Sequence, residues 1–146
     1  MREALKQLAL KLVGCPYIWG GGNPWSGLDC SGYVIWIYQV FGLLPSGDWT
    51  AQMLYHYFNH RPGCLPSATL AGDLVFYGRD FQSITHVMLS LGGGLVIGAS
   101  GGGRECVNFA EAAKRGAMVK VKPWNYRKDA FTGVQTVRGG CFDDDQ

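Results

Sequence analysis

Apolar positions in the first third of the chain recur with helical spacing. Between Arg2 and Val13, Leu5, Leu8, Ala9 and Leu12 fall on one face, and Gly14 with Pro16 ends the run. Val34, Ile37, Tyr38 and Phe41 repeat the pattern over Ser31 to Phe41, with Asp29 standing where an N-cap would stand. A short third helix is predicted over Ala51 to Phe58. The pattern then changes to short apolar runs at Asp73 to Tyr77, Val87 to Leu91 and Leu95 to Ala99. The last two flank Gly92-Gly93-Gly94 and predict a hairpin. Phe109 to Arg115 predicts a further helical turn or two, and Met118 to Val121 with Val134 to Arg138 closes the sheet. Helices first and strands afterwards predict one α+β domain over 1–142, its N-terminal helices packed on a mainly antiparallel sheet. Asp143-Asp144-Asp145-Gln146 reads as a frayed acidic tail.

Composition narrows the picture. With 146 residues, 47% apolar and 16% charged, the chain supports one packed core and is too apolar for disorder. A net charge of +2, with basic residues only loosely paired at Lys114-Arg115 and Lys120 with Lys122, argues against a nucleic-acid partner. No stretch is long and apolar enough for membrane insertion. Arg2, Glu3, Lys6 and Lys11 interrupt the start, so no signal-peptide core is visible and synthesis in the cytoplasm is expected. A monomer is expected.

Five cysteines, Cys15, Cys30, Cys64, Cys106 and Cys141, are an odd number without a C-x-x-C pair. That pattern argues against a zinc ribbon or thioredoxin motif, and with no signal visible reduced thiols are expected. Gly20-Gly21-Gly22 lacks the spacing and the lysine of a phosphate cradle. Context must therefore choose a nucleophile among the thiols. A thiol attacks as thiolate, and a helix N-terminus favours that charge. Only Cys30 stands at a predicted helix start, directly after a glycine-rich loop that would leave it open. Cys15 precedes Pro16 at a helix end, Cys64 sits in a turn, Cys106 lies in or beside a strand, and Cys141 is near the tail.

A cysteine nucleophile needs a base. His56 and His60 are four apart and could share a face, yet no third metal ligand follows at matching spacing, so no metal is expected. His86 opens the strand Thr85-His86-Val87-Met88-Leu89, in the half of the domain opposite the Cys30 helix. A helix-borne cysteine facing a strand-borne histidine is a papain-like arrangement. Trp19, Trp25, Trp36, Trp49 and Trp124 are candidates for a substrate groove, with core packing the reading for Trp36.

Four ordered blocks carry a family resemblance: Tyr17-x-Trp19-Gly20-Gly21, Asp29-Cys30-Ser31-Gly32, Leu70-x-Gly72-Asp73-Leu74-Val75-Phe76, and Thr85-His86-Val87. In that order, over roughly Leu5 to Arg138, the chain resembles the NlpC-type papain-like cell-wall cysteine peptidases. The resemblance implies cleavage of bacterial peptidoglycan stem peptides, commonly between D-γ-glutamyl and a diamino acid, without a cofactor. It places Cys30 on the nucleophile, His86 on the base, and Tyr17 on a tyrosine whose hydroxyl lies near the thiol. Asp29, Ser31 and Trp19 become candidate substrate-binding residues, with Asp29 also able to brace the loop. The Cys30 backbone N–H is a candidate oxyanion donor.

One position departs from that pattern. Relatives carry a polar third residue on the strand after the base, and here that place falls on Gly98, which has no side chain to orient an imidazole. Ser100, a backbone carbonyl or water are the expected substitutes. Two other readings follow: a catalytically weak wall-peptide binding or phage-tail assembly module, and a related amidase or acyltransferase. With no signal visible, a phage lysin, a tail-associated hydrolase, a delivered toxin or a recycling enzyme all fit.

Overall fold

The computed structural model describes residues 1–60 and 65–136. Cys64, Cys141, the 143–146 tail and the last residues of the strand predicted to Arg138 lie outside the described residues. Helix α1 spans Arg2–Lys11 and buries Leu5 and Ala9. Helix α2 spans Cys30–Val40 and buries Tyr33, Val34, Ile37 and Tyr38. The two are joined where the Tyr33 hydroxyl donates to the Ala9 carbonyl at 3.0 Å. Helix α3, Ala51–Tyr57, starts at a Thr50 cap, and helix α4, Phe109–Arg115, at an Asn108 cap.

The strands are β1 (Gly22–Asn23), β2 (Gly27–Leu28), β3 (Asn59–His60), β4 (Leu74–Gly78), β5 (Ile84–Gly92), β6 (Leu95–Ser100), β7 (Met118–Pro123) and β8 (Ala130–Thr136). Strands β1 and β2 form a small hairpin inside the glycine-rich loop, and the other six form one antiparallel sheet in the order β3-β8-β4-β5-β6-β7. The α+β architecture is therefore as the sequence pattern predicts. Strand β8 starts at Ala130 rather than Val134, because Ala130 already pairs with Tyr77.

Strand periodicity assigns the two sheet faces. Leu74, Phe76, Val87, Leu89, Ile97 and Ala99 meet the helices in the main core. Val75, Tyr77, Met88 and Val96 form a second cluster on the opposite face, against Trp124 and Tyr126. Covered on both sides, β4 is buried at every position. Asp73 does more than lead this strand. It is fully buried, accepts from the Leu70 amide at 3.0 Å, and pairs with Arg2 at 3.2 Å. The start of α1 is thereby pinned to the sheet, since breaking a buried pair is costly. Among the described residues no helix is long and apolar enough to cross a membrane.

The β4–β5 register shifts between Tyr77 and Gly78: Tyr77 faces His86 while Gly78 faces Ile84. Thr85 is the extra residue of this bulge, and His86 is the third residue of β5 rather than its opening one. Bulges of this kind re-aim neighbouring side chains.

Candidate active site

Asp29 fixes the entrance of α2. Its Oδ1 accepts from the Gly32 amide at 2.7 Å and from the Ser31 hydroxyl at 3.3 Å, and its Oδ2 accepts from the Gly20 amide at 3.0 Å. One carboxylate thus caps the helix and ties the glycine-rich loop to it. The loop can lie this close only because residue 32 is glycine: a Cβ there would stand 2.1 Å from the Gly21 carbonyl oxygen. Cys30 is the first residue of α2 as predicted, only partly exposed. The amides of Val87 and Ser31 point at its sulfur.

The surroundings of Cys30 work against the low thiol pKa expected of a helix start. Burial pushes the Cys30 thiol up to about 11, with the Asp29 charge adding to the rise; the Val87 and Ser31 amides and the Arg127 guanidinium oppose it without cancelling it. His86 is 7% exposed, and burial together with Arg127 lowers it to about 4. At neutral pH the thiol therefore keeps its proton and the imidazole is uncharged.

Cys30 and His86 open on one cavity of about 590 Å³, with Tyr17, Trp19, Asp29, Ser31, Trp49, Gln52 and Arg127 in its wall. Gln52 holds the start of β5 by accepting from the Ile84 amide at 2.9 Å. Tyr17 is buried, with the Gly103 amide directed at its hydroxyl; desolvation, then the nearby Cys30 and Asp29, hold its phenol well above the ordinary value. Trp19 is half-exposed under the Arg104 guanidinium, 5.9 Å from its ring. A second cavity of about 410 Å³ continues past His86 and is lined by Tyr17, Ser100, Lys120, Lys122, Tyr126 and Arg127, among others.

Gly98 stands on β6, paired with Lys120 of β7. A Cβ there would lie 2.6 Å from the Met88 sulfur, so Met88 fills the room a third side chain would need. Ser100 lines the second cavity, but it is the Tyr126 hydroxyl that bonds His86 Nε2, at 2.7 Å. Sequence reading did not find Tyr126. It lies on the turn after β7, 40 residues beyond His86, where no periodicity points.

The remaining candidates separate cleanly. Cys106 is buried in the loop before α4 rather than in a strand, its thiol donating to the Tyr17 carbonyl at 3.2 Å. Burial raises the Cys15 thiol. His56 lies within α3 and bonds Gln52 at 2.9 Å, whereas His60 belongs to β3, so the two do not share a helix face. Trp36 packs against the core, edge-on to the exposed Trp25 at 6.3 Å. Among the described residues, no three metal-ligating side chains converge.

A thiol at a helix start, opposed by an imidazole on an antiparallel sheet, defines a papain-like domain. The chain belongs to the NlpC/P60 family, whose model matches residues 14–123. It is 38% identical over 104 residues to the bifunctional muramidase/DL-endopeptidase CwlT of Bacillus subtilis, covering 69% of this chain and 30% of that protein. It is 37% identical over 131 residues to the probable endopeptidase YafL of Escherichia coli, covering 86% of this chain and 45% of that one. The chain thus spans less than half the length of either relative. The crystal structure of the NlpC/p60 domain of the peptidoglycan hydrolase SagA superposes with a TM-score of 0.69 at 30% identity, over 93% of this chain and 98% of that domain.

Proposed function

We propose that this domain is a cysteine endopeptidase that hydrolyses amide bonds in peptidoglycan stem peptides, with Cys30 as nucleophile and His86 as base. The observation that carries the reading is the shared cavity of Cys30 and His86 on an NlpC/P60 fold. The endopeptidase names of its relatives support the substrate class.

In the proposed reaction His86 Nδ1, the ring nitrogen that Tyr126 does not hold, takes the Cys30 proton as sulfur adds to the carbonyl carbon. The Cys30 amide at the helix start donates to the resulting oxyanion. Collapse breaks the C–N bond, the imidazolium gives its proton to the leaving amine, and a thioester remains on Cys30. Water then adds to the thioester with His86 again as base, releasing the acid and the thiol. Asp29 braces the loop, and Trp19 with Ser31 lines the acyl side. Because His86 protonates the leaving nitrogen, the leaving half lies on its side, towards Lys120, Lys122 and Arg127. These cations suit a leaving diamino acid that carries carboxylates, and so favour the D-γ-glutamyl–diamino acid bond.

Incubation with defined stem tetrapeptides and identification of the new amino terminus tests this. A terminus at the diamino acid is expected. Cleavage of the N-acetylmuramoyl amide or acyl transfer without hydrolysis would move the domain to the amidase or acyltransferase reading. Peptide binding without any product would favour a binding module.

The pH profile follows from the two lowered and raised groups. His86 stays neutral down to about 4 and Cys30 stays protonated up to about 11. The profile of kcat/KM is therefore expected to be flat through neutrality and to fall only as the pH drops through about 4, as His86 takes its proton. An acid limb centred near the ordinary histidine value would contradict a desolvated base.

A further inference from the structure

We infer that Tyr126 is the positioning residue of His86, occupying the role for which residue 98 has no side chain; this rests on the proposed Cys30–His86 chemistry. The Tyr126 hydroxyl is 2.7 Å from His86 Nε2. The two residues come from different strands' surroundings, so the contact is long-range and depends on how the β7–β8 connection is held.

That connection is held at several points. Tyr126 N–H donates to the Pro123 carbonyl at 3.1 Å, Trp124 N–H to the Gly94 carbonyl at 2.9 Å, and the Tyr77 hydroxyl to the Trp124 carbonyl at 2.7 Å. The Tyr126 ring stands edge-on to Tyr77 at 5.5 Å, and the Lys122 ammonium lies 5.9 Å from its centroid. Tyr77 also flanks the imidazole at 5.5 Å. His86 is thus clamped by one ring and hydrogen-bonded by another. Residue 98 offers no rival, because Met88 occupies the space beside it.

The chemistry suits a phenol. Burial pushes Tyr126 up to about 12, so it stays protonated at working pH. A neutral phenol oxygen can accept a hydrogen bond from Nε2–H, which leaves Nδ1 as the lone-pair nitrogen that must take the thiol proton. When His86 becomes imidazolium, Nε2–H keeps the same acceptor, so no reorientation is needed. The phenol can also donate, so it fixes ring orientation more firmly than tautomer. The other charged groups close to the ring are Arg127 and Asp129, which bond one another at 2.9 Å.

Tyr126→Phe keeps the ring contacts and removes only the oxygen. Three readouts are compared with the wild type: kcat and KM on a stem peptide, the rate of Cys30 alkylation by iodoacetamide across pH, and the ring nitrogen resonances of His86. The expected result is a kcat loss of roughly tenfold to a hundredfold with KM changed less than about threefold. Slower alkylation and a change in the His86 nitrogen resonances should accompany it. Equal kcat, equal alkylation and unchanged resonances would overturn the inference while leaving the peptidase reading intact. If neither protein cleaves any peptide, the peptidase reading fails, and the alkylation and resonance differences still decide the role of Tyr126. Replacing Tyr126 with a fluorinated tyrosine supplies a second variant of native shape; the His86 resonances should move in step with phenol acidity, and indifference to it would also overturn the inference.

Discussion

His86→Ala is expected to lower kcat/KM by at least about 10⁴-fold while leaving the fold in place, because in the proposed reaction His86 is both the proton acceptor of the first step and the donor to the leaving amine. The same substitution has a second, independent signature. Wild-type His86 titrates at about 4 when folded, below the ordinary 6.5, so the unfolded chain binds more protons between those values. Stability from this group is complete above 6.5 and is lost as the pH falls through about 4, with a slope of at most about 1.4 kcal/mol per pH unit. His86→Ala has no such group, so its urea midpoint is expected to fall less steeply over that window. Measuring midpoints of both proteins at several pH values checks this. Equal slopes would mean that His86 is solvated, not desolvated as the geometry requires.

Gly32→Ala is expected to be damaging, against the ordinary sign. Inside a helix this change gains about 1 kcal/mol from propensity. Here the new Cβ would stand 2.1 Å from the Gly21 carbonyl oxygen and 2.9 Å from Asp29 Oδ1. Backbone must move, the Asp29 cap loosens, and the glycine-rich loop lifts off the start of α2. A net loss of about 2–3 kcal/mol is expected from overpacking and the weakened cap. Activity should fall more than tenfold, roughly, because the Cys30 amide and the cavity wall shift together. Denaturant titration alongside kcat at a temperature where both proteins are folded separates the two effects. A stabilised and fully active variant would show that the loop does not depend on this close approach.

How far the sequence carries depends on the range of each interaction. The helices were legible because their apolar faces repeat within a few residues, and Asp29 was legible as a cap because its partners Gly32 and Ser31 are local. Its bond to Gly20 is less local, and it is this bond that makes the carboxylate a brace. Strands β1 and β2 have two residues each, too short to alternate, so their sequence carries only a loop signal. The burial of Asp73 against Arg2 crosses 71 residues and left no pattern.

The site shows the same division. Cys30 and His86 stood out through ordered blocks, and the structure brings them to one cavity. The helix start at Cys30 is visible in sequence, whereas the desolvation that raises its thiol pKa is not. Tyr126 was missed because its role exists only once β7 has carried the chain back beside β5, two strands away in the sheet order. Gly98 gave the one hint, an empty position that some other group had to serve.

The most direct test of the central claim is an acid-quenched mixture of the protein with a stem peptide, read by intact mass and peptide mapping, for wild type and Cys30→Ala. An adduct equal in mass to the acyl half, mapped to Cys30 and absent from the variant along with all product, is the predicted result. Product released by Cys30→Ala at the wild-type rate would contradict the account.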